Sequence, residues 1–262
     1  MKSAQPTSPD NLIEKLRTLP LLILLDYDGT LTDFKSNPEL SNISPSTRAL
    51  LYRLQRLHPV IMVTGRNADS LEKVSGLRGI PIVGTHGFEA RNLPGKIQFA
   101  AETARRLFKE EAERLWRKAS GLKRRYPGIH LEKKPYSSTL HFRGGRLTTG
   151  QIRKLVREFK TLFNQTVTRG RWTLQDGKKM IEAMPKGFSK GKSVRKILKK
   201  FPGRFPLYAG DDLGDISAFK GLGKKGLRIA VGKRIPGKFI DRRFGKPRDF
   251  IEWLRKLERS FA

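Results

Sequence analysis

The chain has 262 residues, no cysteine, and 55 Lys and Arg against 24 Asp and Glu, which leaves a formal charge of +31 at pH 7. Without cysteine, disulfides and thiol chemistry are excluded, and no apolar run or leader indicates a membrane span or secretion, so we expect a cytoplasmic protein with no membrane partner. Because basic residues occur along nearly the whole chain and no helix-turn-helix or zinc-finger spacing is present, we expect nucleic acid to bind only non-specifically through net charge.

The first part of the chain alternates between buried-strand and amphipathic-helix patterns. A run of leucine and isoleucine, Leu21–Leu25, predicts a strand buried on both faces. Ser44 followed by Pro45 predicts the cap and the first residue of a helix. In chain order, the patterns predict helix 12–19, strand 21–25, helix 45–57, strand 59–63, helix 67–74 and strand 80–83.

The pattern changes in the middle of the chain and then returns. The middle predicts helix 101–120, strands 129–134 and 137–143, helix 149–163 and strands 166–174 and 179–184, which is typical of a small α+β unit with an antiparallel sheet. The end predicts helix 190–200, strands 205–209 and 227–231, and helix 249–259. We therefore predict an α/β fold: a Rossmann-like parallel-sheet core domain, residues 1–90 and 186–262, with an inserted smaller α+β cap domain, residues 91–185.

Four polar clusters follow predicted core strands or begin a helix. Because parallel strands end at one edge of a sheet, we expect these clusters to lie close together. Crowded carboxylates repel each other unless a cation lies among them, and hard oxygen ligands suit Mg²⁺. Such a site fits phosphoryl transfer, and an aspartate is the plausible nucleophile because no Ser–His–carboxylate arrangement is evident. The clusters are Asp26 with Asp28, Thr64-Gly65-Arg66, Lys190, and Asp211 with Asp212 and Asp215.

These clusters resemble the four motifs of the haloacid dehalogenase-like phosphatases, in the same order. Further stretches are similar to the trehalose-6-phosphate phosphatase family within that superfamily. They are Thr85-His86-Gly87-Phe88-Glu89, Glu132-x-Lys134-x-x-Ser137-x-x-x-His141-Phe142-Arg143, and the run from Gly177 through Glu182 to Pro185.

The resemblance implies a Mg²⁺-dependent phosphatase that hydrolyses trehalose 6-phosphate to trehalose and phosphate through an aspartyl-phosphate. Asp26 would be the nucleophile and Asp28 the acid and base. The metal would be held by Asp26, the Asp28 backbone carbonyl and Asp211, with Asp212 and Asp215 as outer partners or an alternative ligand. Thr64, Gly65 and Lys190 would bind the phosphoryl group. The residues expected to bind the sugar or to line its pocket are Arg66, His86, Glu89, Glu132, Lys134, Ser137, His141, Arg143 and Glu182.

Several alternatives remain open at the level of single residues. Thr64 could be a helix cap, Lys190 a surface lysine, His141 a structural histidine, and Glu182 the partner of an arginine in the cap.

At the level of function, a phosphatase for sucrose 6-phosphate or mannosyl-3-phosphoglycerate is the nearest alternative. Gly214 and Ile216 stand where many family members have Thr and Glu, a departure that keeps another sugar phosphate open as the substrate. A polyanion-binding protein on a phosphatase fold is a further alternative, suggested by the charge. A trehalose-phosphate synthase as partner is not testable from the sequence.

Overall fold

The computed structural model describes residues 9–35, 38–95, 99–143, 147–177 and 179–261. Part of the predicted 32–42 loop (residues 36 and 37) and Lys178 of the 177–185 motif lie outside the described residues. The helices are α1 Pro9–Leu16, α2 Pro45–Leu57, α3 Ala68–Ser75, α4 Glu102–Ser120, α5 Leu122–Arg125, α6 Thr149–Thr166, α7 Lys190–Leu198, α8 Ile216–Leu222 and α9 Pro247–Arg259. The strands are β1 Leu21–Leu25, β2 Val60–Val63, β3 Ile82–Gly84, β4 Glu89–Arg91, β5 His130–Lys134, β6 Ser137–His141, β7 Trp172–Gly177, β8 Met180–Pro185, β9 Phe205–Gly210, β10 Leu227–Val231 and β11 Arg242–Phe244.

The chain divides into two compact units, a core unit of residues 1–99 and 189–262 and an inserted unit of residues 100–188. The domain boundaries predicted after residues 90 and 185 stay predictions. Among the described residues, no helix combines the length and apolar character needed to cross a membrane.

The core unit is built on a seven-stranded sheet in the order β11-β10-β9-β1-β2-β3-β4. Its strands pair in parallel, apart from β3 with β4. All five side chains of β1 are fully buried, because apolar clusters cover both faces of the sheet. The residues of α2 and α9 belong to one cluster and those of α7 and α8 to the other. The predicted α/β class with a parallel-sheet core is confirmed.

The strands and helix of the core that the sequence did not predict are short. Strands β4 and β11 have three residues each, and β4 is only partly buried. Helix α8 has seven residues and follows the Asp211–Asp215 cluster directly. Elements of this length carry too few residues to display a periodic pattern, and their conformation depends on the neighbours they pair with.

The inserted unit contains a four-stranded antiparallel sheet in the order β5-β6-β8-β7, as the prediction of an antiparallel α+β unit required. The strand register places Leu131, Leu140 and Ile181 on one face of the sheet, where all three are buried. This face is the one toward α4, because Ser138 also lies on it and its hydroxyl donates to the Ala112 carbonyl of α4. The opposite face of the sheet is polar and carries Glu132, Thr139 and Glu182.

One strand prediction in the inserted unit was wrong. Residues 166–174 were predicted as a strand, but α6 continues to Thr166 and the strand is Trp172–Gly177. The apolar face of the helix, with Phe159 and Phe163 buried, extends to this end, and the Thr166 hydroxyl donates to the Leu162 carbonyl at 2.6 Å. Packing of that face therefore outweighs the strand preference of the β-branched Thr166–Thr168 run.

Candidate active site

The first motif follows β1 at the carboxyl edge of the core sheet. The Asp26 amide donates to the Ala209 carbonyl at 2.9 Å, which places Asp26 beside the start of the Asp211 loop. Gly29 has φ +76°, and a Cβ added there would lie 2.3 Å from an Asp211 carboxylate oxygen. The turn therefore requires glycine both for its backbone conformation and for the close approach of Asp211.

Lys190 is the first residue of α7, whose cap is the Ser189 side chain. Its Nζ lies 2.9 Å from Asp26 Oδ1 and 2.7 Å from Asp215 Oδ1, and its side chain is only 6% exposed. Burial works to lower the pKa of Lys190, but the carboxylates of Asp215 and Asp26 outweigh burial and raise that pKa well above its usual value. The alternative that Lys190 is a surface lysine is wrong.

Asp215 is fully buried and has both carboxylate oxygens occupied by protein donors. Oδ1 accepts from Lys190 Nζ and from the Tyr208 hydroxyl, each at 2.7 Å. Oδ2 accepts from the backbone amides of Asp211 at 3.0 Å and Asp212 at 3.1 Å. A carboxylate has about four lone-pair sites, so Asp215 holds the loop and Lys190 in place and has no acceptor site left over.

Tyr208 is a member of this network that the sequence reasoning missed. The available signal was its position in an otherwise apolar buried strand, because a buried tyrosine hydroxyl needs a hydrogen-bond partner.

One carboxylate oxygen from each of Asp26, Asp211 and Asp215 lies within 4.8 Å of the other two. Burial raises the pKa of Asp26 well above its usual range, with Lys190 opposing the shift. Burial, reinforced by the charges of Asp215 and Asp212, raises the pKa of Asp211 to about 8. Buried carboxylates with raised pKa values gain from a divalent cation that balances their charge, and an all-oxygen set fits Mg²⁺. Asp26 and Asp211 are the side chains best able to hold it, because Asp215 is saturated.

The remaining acids of the two aspartate motifs have other neighbours. The Asp212 side chain accepts from the Gly214 amide at 2.8 Å and caps the short turn before α8. The Arg234 guanidinium, which no motif indicated, lies 3.6 Å from Asp211 Oδ2. The two oxygens of Asp28 accept from Arg66 Nε at 2.6 Å and Nη2 at 2.7 Å. Arg66 therefore lies beside the candidate acid and base.

Thr64 follows β2, and its hydroxyl oxygen accepts from the Arg66 amide at 3.1 Å. The cap of α3 is Asn67, whose side chain accepts from the Ser70 amide at 2.9 Å. The alternative that Thr64 caps the helix is therefore wrong. Gly65 lies under the His86 ring, since an added Cβ would come within 2.9 Å of its Cε1.

His86 belongs to a turn of unusual backbone conformation. Thr85 has φ 47° and His86 has φ 56°, both in the left-handed region that non-glycine residues rarely occupy. Glu89 Oε1 accepts from the Thr85 hydroxyl at 2.9 Å and from the Ala68 amide at 3.0 Å. Burial raises the pKa of Glu89, although these hydrogen bonds oppose the shift. Glu89 thus fixes the turn that places His86 against Gly65.

The predicted sugar-binding residues of the inserted unit cluster on the polar face of its sheet. Glu182 Oε1 accepts from Lys134 Nζ at 3.0 Å and from the Ser137 hydroxyl at 2.7 Å. His141 Nε2 lies 2.9 Å from Glu132 Oε2. Burial would raise the pKa of Glu132, but Lys134 and His141 together hold it below its usual value. Arg143 is exposed and lies two residues beyond β6.

Thr139 and Gln175 lie on the same polar face. Thr139 is paired with Glu132 and Glu182 on the neighbouring strands, and Gln175 is paired with Glu182. The Thr139 hydroxyl is buried and has no hydrogen-bond partner among the described residues. Neither residue was predicted, since Thr139 is a variable position of the Glu132–Arg143 spacing and Gln175 precedes the motif that begins at Gly177.

The family model and two curated relatives that match this chain carry the name trehalose-phosphatase or trehalose-phosphate phosphatase. The family model described as trehalose-phosphatase matches residues 24–238. The chain is 30% identical over 221 residues to a protein of Sinorhizobium fredii named probable trehalose-phosphate phosphatase, covering 82% of this chain and 78% of the relative. It is 29% identical over 218 residues to the trehalose-phosphate phosphatase of Mycobacterium bovis, covering 80% of this chain. The chain spans about half of that mycobacterial relative, 53% of its length.

Two solved structures share the fold. One, described as a trehalose-6-phosphate phosphatase related protein, has a TM-score of 0.77 at 24% identity and covers 91% of this chain and 97% of its own. The other, the C-terminal domain of the C. albicans trehalose-6-phosphate phosphatase, has a TM-score of 0.74 at 22% identity. The match covers 98% of this chain and 99% of that domain.

Proposed function

Because the chain belongs to the trehalose-phosphatase family, we propose that it is a phosphoric monoester hydrolase that converts trehalose 6-phosphate to trehalose and inorganic phosphate. The observation that carries the proposal is the buried Asp26 carboxylate, 2.9 Å from Lys190 Nζ and grouped with Asp211. This arrangement supplies a nucleophile, a cation for phosphoryl oxygens and a metal-binding acid in one place.

In the first step, a carboxylate oxygen of Asp26 bonds to phosphorus and the bond from phosphorus to the sugar oxygen breaks. Asp28 acts as the general acid and gives a proton to the leaving sugar oxygen, so that trehalose departs neutral. In the second step, Asp28 takes a proton from water as the water oxygen bonds to phosphorus. The bond to Asp26 breaks, phosphate leaves, and both carboxyl groups return to their starting states.

The other core residues position the phosphoryl group. Lys190 and Thr64, with the Gly65 backbone, bind its oxygens, and Lys190 also balances the charge of Asp26. Asp26, the Asp28 carbonyl and Asp211 would hold Mg²⁺, which supplies positive charge to the phosphoryl oxygens when it is bound. Asp215 keeps the Asp211 loop and Lys190 in position through the hydrogen bonds described above.

The inserted unit supplies residues for the sugar. Acids and a lysine joined by hydrogen bonds, such as Glu182 with Lys134, offer both donors and acceptors to sugar hydroxyls. Glu132, His141, Ser137 and Arg143 complete the proposed sugar-binding set. In the core unit, Arg66 is held by Asp28, and Glu89 holds the turn that carries His86, so we assign these three residues to shaping the phosphate end.

The identity of the sugar depends on residues that differ from the family pattern. Gly214 and Ile216 replace the Thr and Glu common in the family, yet Asp215 retains its hydrogen bonds. Sucrose 6-phosphate and mannosyl-3-phosphoglycerate are therefore the substrates to compare. The synthase partner stays a hypothesis that co-purification from the source organism would test.

The experiment measures phosphate release from trehalose 6-phosphate, the two alternative substrates and glucose 6-phosphate, with Mg²⁺ and with EDTA. We expect the highest kcat/KM for trehalose 6-phosphate, loss of activity in EDTA, and loss in Asp26→Asn. Asp33→Asn is the matched control, since Asp33 is exposed and should leave the rate unchanged. Full activity of Asp26→Asn would refute the nucleophile, and a higher kcat/KM for another sugar phosphate would refute the substrate.

A further inference from the structure

The core unit has a cavity at the edge of its sheet that lies opposite Asp26. The cavity has a volume of about 380 Å³ and is lined by residues just before the strands begin: His58 and Pro59 before β2, Pro81 before β3, and Arg204 before β9. The five residues of β1 span about 17 Å, so this site is separate from the aspartate cluster at the other end of the strands. Its size falls in the range of small-molecule sites.

The cavity and its surroundings are positively charged. Arg56 and Arg204 line it, and none of the described residues that line it is acidic. Lys199 and Lys200 are exposed and directly precede Phe201, another lining residue. The Arg204 guanidinium donates one hydrogen bond, to the Leu21 carbonyl at 3.1 Å, and has further N–H groups to offer. This part of the surface therefore favours a ligand with more than one negative charge.

The lining also contains apolar and ring-shaped side chains. Leu57, Ile61 and Phe201 contribute apolar surface, together with several prolines. His58 is buried, and neither of its ring nitrogens has a hydrogen-bond partner among the described residues. Burial and the charge of Arg204 lower the pKa of His58, so its imidazole is neutral near pH 7 and has one donor and one acceptor. Both nitrogens are shielded from solvent, and hence from a ligand in the cavity, so His58 adds neither charge nor a polar contact to the lining.

We propose that this cavity binds a nucleotide, with the base against Phe201 and Leu57 and the phosphates beside Arg56, Arg204 and the Lys199–Lys200 pair. A planar heterocycle fits the apolar lining, and a chain of phosphates fits several cations without an acid. An inorganic anion would contact only the arginines and lysines, and an uncharged nucleoside would contact only the apolar residues of the lining. The site does not depend on the proposed phosphatase activity.

The test uses ADP as probe and the histidine side chains of the full chain as reporters. There are four histidines, so their ring signals can be assigned individually by NMR. ADP in the cavity should shift the His58 signals and leave His86, beside Gly65 in the candidate active site, unchanged. Adenosine and inorganic pyrophosphate should each bind at least about tenfold more weakly than ADP, because each lacks one half of the contacts.

Variants then locate the binding. Arg56→Gln/Arg204→Gln should weaken ADP binding at least about tenfold. The matched control, Arg124→Gln/Arg153→Gln, removes two exposed arginines of the inserted unit and should change binding less than about twofold. Lys199→Gln/Lys200→Gln provides a second test on exposed side chains, in case loss of the Arg204 hydrogen bond disturbs folding; it should weaken binding about threefold or more.

Three results would overturn the proposal. They are shifts at His86 instead of His58, equal losses in the test and control arginine pairs, and no His58 shift at millimolar ADP. None of these results involves turnover of a sugar phosphate, so failure here leaves the phosphatase proposal standing, and the reverse holds as well.

Discussion

The guanidinium of Arg66 holds both carboxylate oxygens of Asp28, with Nε at 2.6 Å from Oδ2 and Nη2 at 2.7 Å from Oδ1. The Arg66 side chain is 9% exposed, its guanidinium carbon lies 5.7 Å from the centre of the Tyr27 ring, and Nη1 reaches the Ser70 hydroxyl at 3.4 Å. A planar group that makes two parallel hydrogen bonds fixes the rotation of its carboxylate partner, which a single ammonium does not. We therefore infer that Arg66 positions Asp28, the proposed acid and base.

Arg66→Met should lower kcat by about 100-fold, because a displacement of the acid and base by about 1 Å costs a factor of that size. KM should change much less. Arg66→Lys should recover part of the loss, since it restores the charge without the paired geometry. Steady-state kinetics on trehalose 6-phosphate would measure the effects.

Arg53→Met is the control for Arg66. Arg53 forms an ion pair with Glu258 at 2.8 Å on the exposed surface, so its loss should leave kcat unchanged. A large rise in KM with unchanged kcat in Arg66→Met would contradict the positioning role and assign Arg66 to substrate binding.

Gly29→Ala should abolish activity and destabilise the core. Gly29 has φ +76°, and the new Cβ would lie 2.3 Å from the Asp211 carboxylate, so Asp211 must move. Gly203→Ala is a matched control, since Gly203 has φ +75° and no atom within 4 Å of the added Cβ. Both variants carry a left-handed alanine, which costs about 1–2 kcal/mol. Urea unfolding should show this cost in both, and phosphate release should be lost only in Gly29→Ala; equal activity in the two would contradict the role of the close contact.

The stability of the metal-free protein should fall as pH rises from about 4 to about 8. Burial raises the pKa of Asp211 to about 8, so the native state keeps a proton there that the unfolded chain releases near pH 4. The native state binds more protons in this window, and the free energy of unfolding therefore decreases with pH. Thermal unfolding in EDTA at several pH values would measure the slope, which should be smaller in Asp211→Asn.

Mg²⁺ should reverse this trend, because it binds the deprotonated carboxylates. The increase in Tm at saturating Mg²⁺ should grow with pH and reach about 5 °C or more near pH 8. Asp211→Asn should lose most of the increase. An increase that is the same at pH 5 and pH 8, or that survives in Asp211→Asn, would show that the cation binds elsewhere.

Lys134→Met should raise KM for the sugar phosphate by about tenfold or more, since it removes a charged hydrogen-bond donor from the polar face of the inserted sheet. Lys133→Met is a control in the adjacent position. The Lys133 ammonium lies on the other face, where it pairs with Glu113 of α4 and lies 5.1 Å from the centre of the Trp116 ring. KM should be nearly unchanged in Lys133→Met, and similar effects in both variants would argue that charge loss, not the polar face, determines KM.

The regular elements could be predicted because their patterns are local. Leu21–Leu25 is apolar throughout and is buried on both faces, and Ser44 with Pro45 begins α2 as expected. The motifs at strand ends also predicted that Asp26, Thr64 and Asp211 lie close together, since parallel strands end at one edge of a sheet. Lys190, at the start of a helix, was predicted to join them. Residues 166–168 show where local preference failed, because packing of α6 decided the conformation.

The roles within the site depended on three-dimensional neighbours. Asp211, Asp212 and Asp215 are equivalent as letters in the chain, yet Asp215 is saturated by Lys190, Tyr208 and two amides, while Asp211 keeps a raised pKa of about 8. Likewise, the sequence places Arg66 among the expected substrate residues, and only the structure shows that its guanidinium donates to both oxygens of Asp28.

The sequence by itself determined the class of fold, the family and the chemical types available at the carboxyl edge, because these follow from local periodicity and from motif spacing along the chain. Only the tertiary structure decided which carboxylate is free to hold a cation, which partner orients Asp28, and that a basic cavity lies at the opposite edge. These properties depend on burial and on distances between residues far apart in sequence, and burial and distance set the pKa and the hydrogen-bonding capacity of every group in the site.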